Sequence, residues 1–131
     1  MPDLPKILLL EDEALQLNRM VSILSPYATL FAKETQAETL VVLAENPDIA
    51  LIITDFKFPD GDGNSLIKAL VAQGQVPPII LQSAHMAPLD MVLPEYRSYV
   101  VAVLEKPFGR SVFLDLVLAQ IQGSPKIDPK L

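Results

Sequence analysis

The sequence predicts an α/β protein, a doubly wound five-stranded parallel sheet with helices on both faces. Three observations predict it. Short runs of consecutive apolar residues recur along the chain, the pattern of strands buried on both faces. Segments with helical spacing lie between them. The chain has 131 residues, half of them hydrophobic, about one domain's worth and enough to bury a substantial core.

The elements follow in order. Residues 7–10 (ILLL) read as the first strand. Ala14, Leu17, Met20, Val21 and Leu24 then share one stripe of a first helix. Residues 29–33 (TLFAK) are a weaker strand candidate. Thr35 and Glu38 have the spacing of a capping box, and Ala37, Leu40, Val41 and Ala44 are the expected apolar stripe behind it. Residues 49–53 (IALII) form the most central apolar run. Leu66, Ile67, Leu70 and Val71 give a third helix that Gly74 is placed to end. Residues 78–81 (PIIL) and 99–104 (YVVAVL) are the last two strands, and Phe113, Leu114, Val117, Leu118 and Ile121 mark the last helix.

The segment 86–97 (MAPLDMVLPEYR) should hold the fourth helix, but Pro88 and Pro94 interrupt it. A proline inside a helix removes a hydrogen bond and clashes with the preceding turn. A short or irregular helix of no more than about two turns is expected here. The domain is expected over residues 1–122. The polar, proline-bearing tail 123–131 (GSPKIDPKL) is expected to fray or serve as a linker.

Composition narrows the function. Sixteen acids against ten Lys and Arg leave a formal charge of −6, which argues against direct nucleic-acid binding. The absence of cysteine excludes disulfides and thiolate metal sites. The start, MPDLPKILLL, does not read as a signal peptide, and no apolar run approaches the roughly 18 residues of a membrane span. A cytoplasmic domain without membrane contact is the expectation.

In open α/β sheets, functional groups gather beyond the carboxyl ends of the strands. Those ends carry Glu11-Asp12-Glu13, Thr54-Asp55, Gln82-Ser83-Ala84-His85 and Glu105-Lys106-Pro107. Brought together, they make a cluster of carboxylates with one hydroxyl and one ammonium. Clustered carboxylates invite a hard divalent cation such as Mg²⁺, which prefers phosphate oxygens as its remaining partners. Lysine and serine would supply a charge and a donor to a phosphoryl group. An aspartate so placed can act as a nucleophile, and Asp55 is the natural candidate.

Four motifs in the right order and spacing now resemble one family. LLLEDE, IITDFKFPDGDG, LQSA and EKPF are similar to the acidic pair, the phosphoacceptor strand and loop, the hydroxyl position and the lysine–proline of the receiver domain of bacterial two-component response regulators. The resemblance covers about residues 5–122. It implies a flavodoxin-like sheet in the order 2-1-3-4-5. It also implies roles. Asp55 would accept a phosphoryl group from a histidine kinase or phosphotransfer protein. Asp12 and Asp55 would hold Mg²⁺ with the backbone carbonyl of Lys57, and Glu11 would support the metal. Ser83 would hydrogen-bond the phosphoryl group, and Lys106 would pair with it across a cis Lys106–Pro107 bond. The family implication is a signalling domain with self-catalysed, Mg²⁺-dependent phosphotransfer and dephosphorylation only, read by a downstream protein target. Lys57 and His85 stand two residues after Asp55 and Ser83, positions that vary in the family and influence the life of the phosphoryl group.

Two competing readings of 54–65 (TDFKFPDGDGNS) fit less well, the calcium reading failing on spacing. A calcium-binding EF-hand loop starting at Asp60 would put Ser65 at its required glycine and Val71 at its required glutamate. A phosphatase of the haloacid dehalogenase type needs a second aspartate two residues after the nucleophile, where this chain has Lys57. Asp60, Gly61, Asp62 and Gly63 are expected to form the turn into the next helix, with glycines at positive φ.

One feature departs from the family pattern. Val103 stands where the family often has a tyrosine or phenylalanine whose exposure changes on phosphorylation. The segment 86–97 is the expected alternative carrier of the signal. Val112 and Leu116, off the core stripe of the last helix, are an expected homodimer or partner surface. No effector sequence follows in this chain, so output through protein contacts is expected. A receiver-like interaction module that is never phosphorylated is the alternative reading.

Overall fold

The structure is a computed structural model that describes residues 3–84 and 88–122. The tail 123–131, His85 and Met86, on which expectations were placed, lie outside the described residues. Five strands form one sheet: β1 (Lys6–Leu10), β2 (Thr29–Lys33), β3 (Ile49–Asp55), β4 (Ile79–Ser83) and β5 (Val100–Glu105). All its pairings are parallel and the order is β2-β1-β3-β4-β5, as the resemblance implies. Four helices alternate with the strands: α1 (Ala14–Leu24), α2 (Gln36–Glu45), α3 (Gly63–Gln73) and α4 (Arg110–Ile121).

Successive residues of a strand point to opposite faces, so each central strand feeds two cores. Leu8 and Leu10 of β1 join Val42 and Leu43 of α2 and Leu66, Ile67 and Leu70 of α3. Ile7 and Leu9 join Met20, Ile23 and Leu24 of α1 and Phe113 and Val117 of α4. Burying each such side chain contributes about 1.5–3 kcal/mol relative to exposure. This double burial is why β1, β3 and β4 each carry an unbroken apolar run. β5 differs: it is an edge strand with alternating burial, and Val101 and Val103 are exposed. Its unbroken apolar run was therefore a poor guide to burial on both faces.

The fourth helix is replaced by two short 3₁₀ segments, Pro88–Met91 and Pro94–Tyr99. Each begins with a proline, which fits the first turn of a helix but not its interior. The irregularity expected from the two prolines is present.

Local details correct four expectations. In α2 the buried residues are Thr39, Val42 and Leu43, while Ala37, Val41 and Ala44 are exposed. The run ETLVVLAE is apolar over too much of the helix circumference to fix the inward stripe. At its start Thr35 Oγ1 accepts from the Glu38 amide at 3.2 Å, but the Glu38 carboxylate accepts from the Glu34 amide, one residue beyond a capping box. The reciprocal box occurs instead at Asp62 and Ser65, opening α3. Gly61 and Gly63 are not at positive φ; among described residues only Gly74, which ends α3, is. Gly61-Asp62 pairs antiparallel with Lys57-Phe58, and a side chain at 61 would run into Ser65 and Gln36. Leu116 packs partly against the core, which leaves Val112 as the exposed apolar residue of α4. Among the described residues, no helix is long and apolar enough to cross a membrane.

Candidate functional site

The site lies at the carboxyl ends of β1, β3, β4 and β5, and the sheet's own hydrogen bonds place its members. The Glu11 amide donates to the Lys33 carbonyl at 3.0 Å, extending the β1–β2 pairing one step past β1. Asp55 is the last residue of β3, in register with Gln82 of β4, and the next amide, Phe56, donates to the Gln82 carbonyl at 3.0 Å. The Lys106 amide donates to the Ser83 carbonyl at 2.8 Å, fixing the lysine one residue past β5. The Lys106–Pro107 peptide is cis.

The side chains converge. Lys106 Nζ lies 2.6 Å from Asp55 Oδ1 and 3.2 Å from Glu11 Oε1. Glu11, Asp12 and Asp55 each offer a carboxylate oxygen, and these atoms all lie within 4.8 Å of one another. Glu11 is 1% exposed and Asp55 7%, while Asp12 faces solvent. Asp55, Ser83, Lys57 and Lys106 line one cleft of about 190 Å³ with Phe56, Gln82 and Ala84.

Three carboxylates against one ammonium leave the cluster net negative. Burial, followed by the hydrogen bond and charge of Glu11, pushes the Asp55 carboxyl up to about 7 against the opposing pull of Lys106. Burial pulls Lys106 down, but its contacts with Asp55 and then Glu11 outweigh this and leave it raised. The donors are hard oxygens with unneutralised charge, a set that fits Mg²⁺ and offers nothing to a soft metal.

The residues selected from sequence thus meet: Glu11, Asp12, Asp55 and Lys106 in one cluster, with Ser83 buried on the same cleft. Lys57 is exposed on the rim, its backbone held in the short pairing with Gly61-Asp62. The contacts of three supporting residues escaped the sequence reading. Gln82 donates to Glu11 Oε1 at 3.1 Å from a fully buried position. Asp60 accepts from the amides of Gln36 and Ala37, tying the loop after Asp55 to the start of α2. Asn64 donates to the Met91 carbonyl at 3.0 Å and accepts from the Leu93 amide at 2.9 Å. Only Gln82 left a signal in the sequence, as a lone amide directly after an apolar strand run.

Comparison with known proteins gives the same picture. The response regulator receiver domain family matches residues 7–123. Response regulator protein FleR of Pseudomonas aeruginosa is 27% identical over 128 residues, covering 95% of this chain and 27% of that protein. DNA-binding transcriptional regulator NtrC of Proteus hauseri is 34% identical over 74 residues, 56% of this chain and 15% of that protein. The chain therefore spans well under a third of the length of either curated relative. The signal receiver domain of an HD domain-containing protein from Pseudomonas fluorescens Pf-5 shares the fold with a TM-score of 0.80 at 22% identity, over 94% of this chain and 90% of that one. With the family match over nearly its whole length and the acidic mouth its fold builds, this chain belongs to the receiver domains of two-component response regulators.

Proposed function

We propose that Asp55 accepts a phosphoryl group from a histidine kinase or phosphotransfer protein and that the modification switches a protein-interaction surface. The observation that carries this reading is the 2.6 Å pairing of Asp55 with Lys106 beside Glu11 and Asp12. A carboxylate oxygen of Asp55 forms the new O–P bond as the donor's P–N bond breaks, and the donor nitrogen keeps the electron pair. Lys106 is close enough to pass from the free carboxylate to a phosphoryl oxygen on it. Ser83, on the same cleft, is the hydroxyl donor to that group.

Mg²⁺ would be held by Asp12 and Asp55 with the Lys57 carbonyl, supported by Glu11, and would supply charge neutralisation for the phosphoryl oxygens. The raised Asp55 carboxyl bears on this. Without a cation it is substantially protonated near neutral pH and a poor nucleophile, so a positive charge at the cluster favours the reactive form.

A protein rather than a small molecule is the reader of the switch, and the cytoplasm is its setting. Val103 has no ring to move, so the signal runs through residues 88–99, whose middle is tied by Asn64 to the first turn of α3. Amide exchange in that segment is expected to change with a phosphoryl mimic; identical exchange would remove it as the carrier.

The direct test is to incubate the protein with Mg²⁺ and acetyl phosphate and measure its mass. A gain of one phosphoryl group that is lost in Asp55→Ala is expected. No gain with this donor or with any kinase would favour an interaction module that works without phosphorylation.

A further inference from the structure

Gln82 is a fully buried amide that follows the three apolar residues of β4 and precedes Ser83. Its Nε2 donates to Glu11 Oε1 at 3.1 Å and approaches Met20 Sδ at 3.7 Å. Its Oε1 has no hydrogen-bond partner among the described residues. Turning the amide over would set that oxygen against the Glu11 carboxylate, so the orientation is dictated by charge. A polar side chain with one end unsatisfied is a poor filler for a core, where an apolar residue of equal volume would leave no orphan acceptor. The amide therefore has its purpose at its donor end, and that end meets Glu11.

Glu11 needs such a donor. Its carboxylate is 1% exposed, and it accepts from Gln82 and Lys106 on Oε1 and from the Glu13 amide on Oε2. Lys106 is shared with Asp55 and is the partner that a phosphoryl group would draw away. Gln82 and the Glu13 amide are neutral donors to Glu11.

We propose that Gln82 is a positioning residue, whose amide holds the Glu11 carboxylate in the orientation from which it supports a divalent cation at the acidic cluster. This rests on the reading that Glu11, Asp12 and Asp55 serve Mg²⁺. An outer partner that orients a metal-supporting group acts on affinity through that group, with losses on the order of ten- to a hundredfold on its removal. Gln82 acts only through Glu11, so its effect must vanish when Glu11 is gone.

The test is a double-mutant cycle read as Mg²⁺ affinity, followed by amide chemical shifts in the unphosphorylated protein. Gln82→Met, which conserves volume, is expected to weaken Mg²⁺ binding about tenfold in the native background and less than about twofold in a Glu11→Ala background. Gln82→Asn, whose amide ends one methylene short of Glu11, is expected to weaken binding in the same direction and keeps the test open if the methionine variant does not fold. Unchanged affinity in folded Gln82 variants overturns the proposal while leaving the metal site standing. An equal loss with and without Glu11 also overturns it, because the role is then merely structural. Absence of Mg²⁺ binding by the unaltered protein overturns the metal reading itself and this one with it.

Discussion

The connection from β3 to β4 and the connection from β4 to β5 span the same sheet, yet they satisfy their backbones differently. α3, in the first, closes both of its own ends. Asp62 and Ser65 cap it reciprocally, and Gly74, at φ 78, turns its last carbonyls back into bonds. The second, Pro88–Met91 and Pro94–Tyr99, takes partners from its neighbour: Asn64 of α3 binds both the Met91 carbonyl and the Leu93 amide. Leu89 and Leu93 are exposed there, whereas α3 buries Leu66, Ile67 and Leu70. The first connection caps its own helix, while the second adds to its internal bonds two that Asn64 supplies. A switch needs an element of the second kind, since local opening is easiest where apolar burial is thin and hydrogen bonds are few.

The largest test of this contrast compares one leucine from each connection. Leu70→Ala in α3 is expected to cost about 2–5 kcal/mol in chemical denaturation. Leu89→Ala is expected to stay within about 0.5 kcal/mol, as exposed positions do. Similar losses would erase the distinction.

A second test loads the mouth from which both connections leave. The Asp55 carboxyl is raised to about 7 in the folded protein, above its usual value near 3.8. The folded state thus favours the protonated form. The stability this contributes is present in full below the unfolded value and is lost as pH rises toward and through 7. Metal-free protein is expected to lose up to about 4 kcal/mol from this group between pH 4 and 8. Asp55→Asn should flatten that part of the profile, measured by thermal melts in chelator. A profile as steep in the variant would assign the effect to another group.

The third test is the most discriminating. Asn64→Ala removes both side-chain bonds to the second connection and is expected to cost about 1–2 kcal/mol. Amide exchange should quicken in residues 88–99 far more than in α3. Equal acceleration in both would show that they open together.

The same contrast explains what could be read from the chain. β1, β3 and β4 are buried on both faces, so their burial is written as unbroken apolar runs, and Glu11, Asp55 and Ser83 stand at or just past the ends of those runs, while Lys106 follows the apolar run of β5. Pro88 and Pro94 announce irregularity because their constraint is covalent. The inward face of α2 was misassigned because ETLVVLAE offers two apolar faces, and only the sheet chooses between them. Asp60 reaching Gln36, Asn64 reaching Met91 and Gln82 reaching Glu11 join residues 24 to 71 positions apart. Bonds of that kind depend on tertiary placement and leave no periodic trace.

Arg19 donates to the Phe108 carbonyl at 2.9 Å and lies over the Phe108 ring, which itself stacks on Phe113. This bond joins parts of the polypeptide made early to parts made late. The acids at 11 and 12 leave the ribosome long before the lysine at 106, and α1 must wait for Phe108 and Phe113 to cover its inner side. The nascent domain therefore carries the acids of its cluster without their countercharge until Lys106 and α4 have emerged, and the cluster is completed in one late step rather than by degrees.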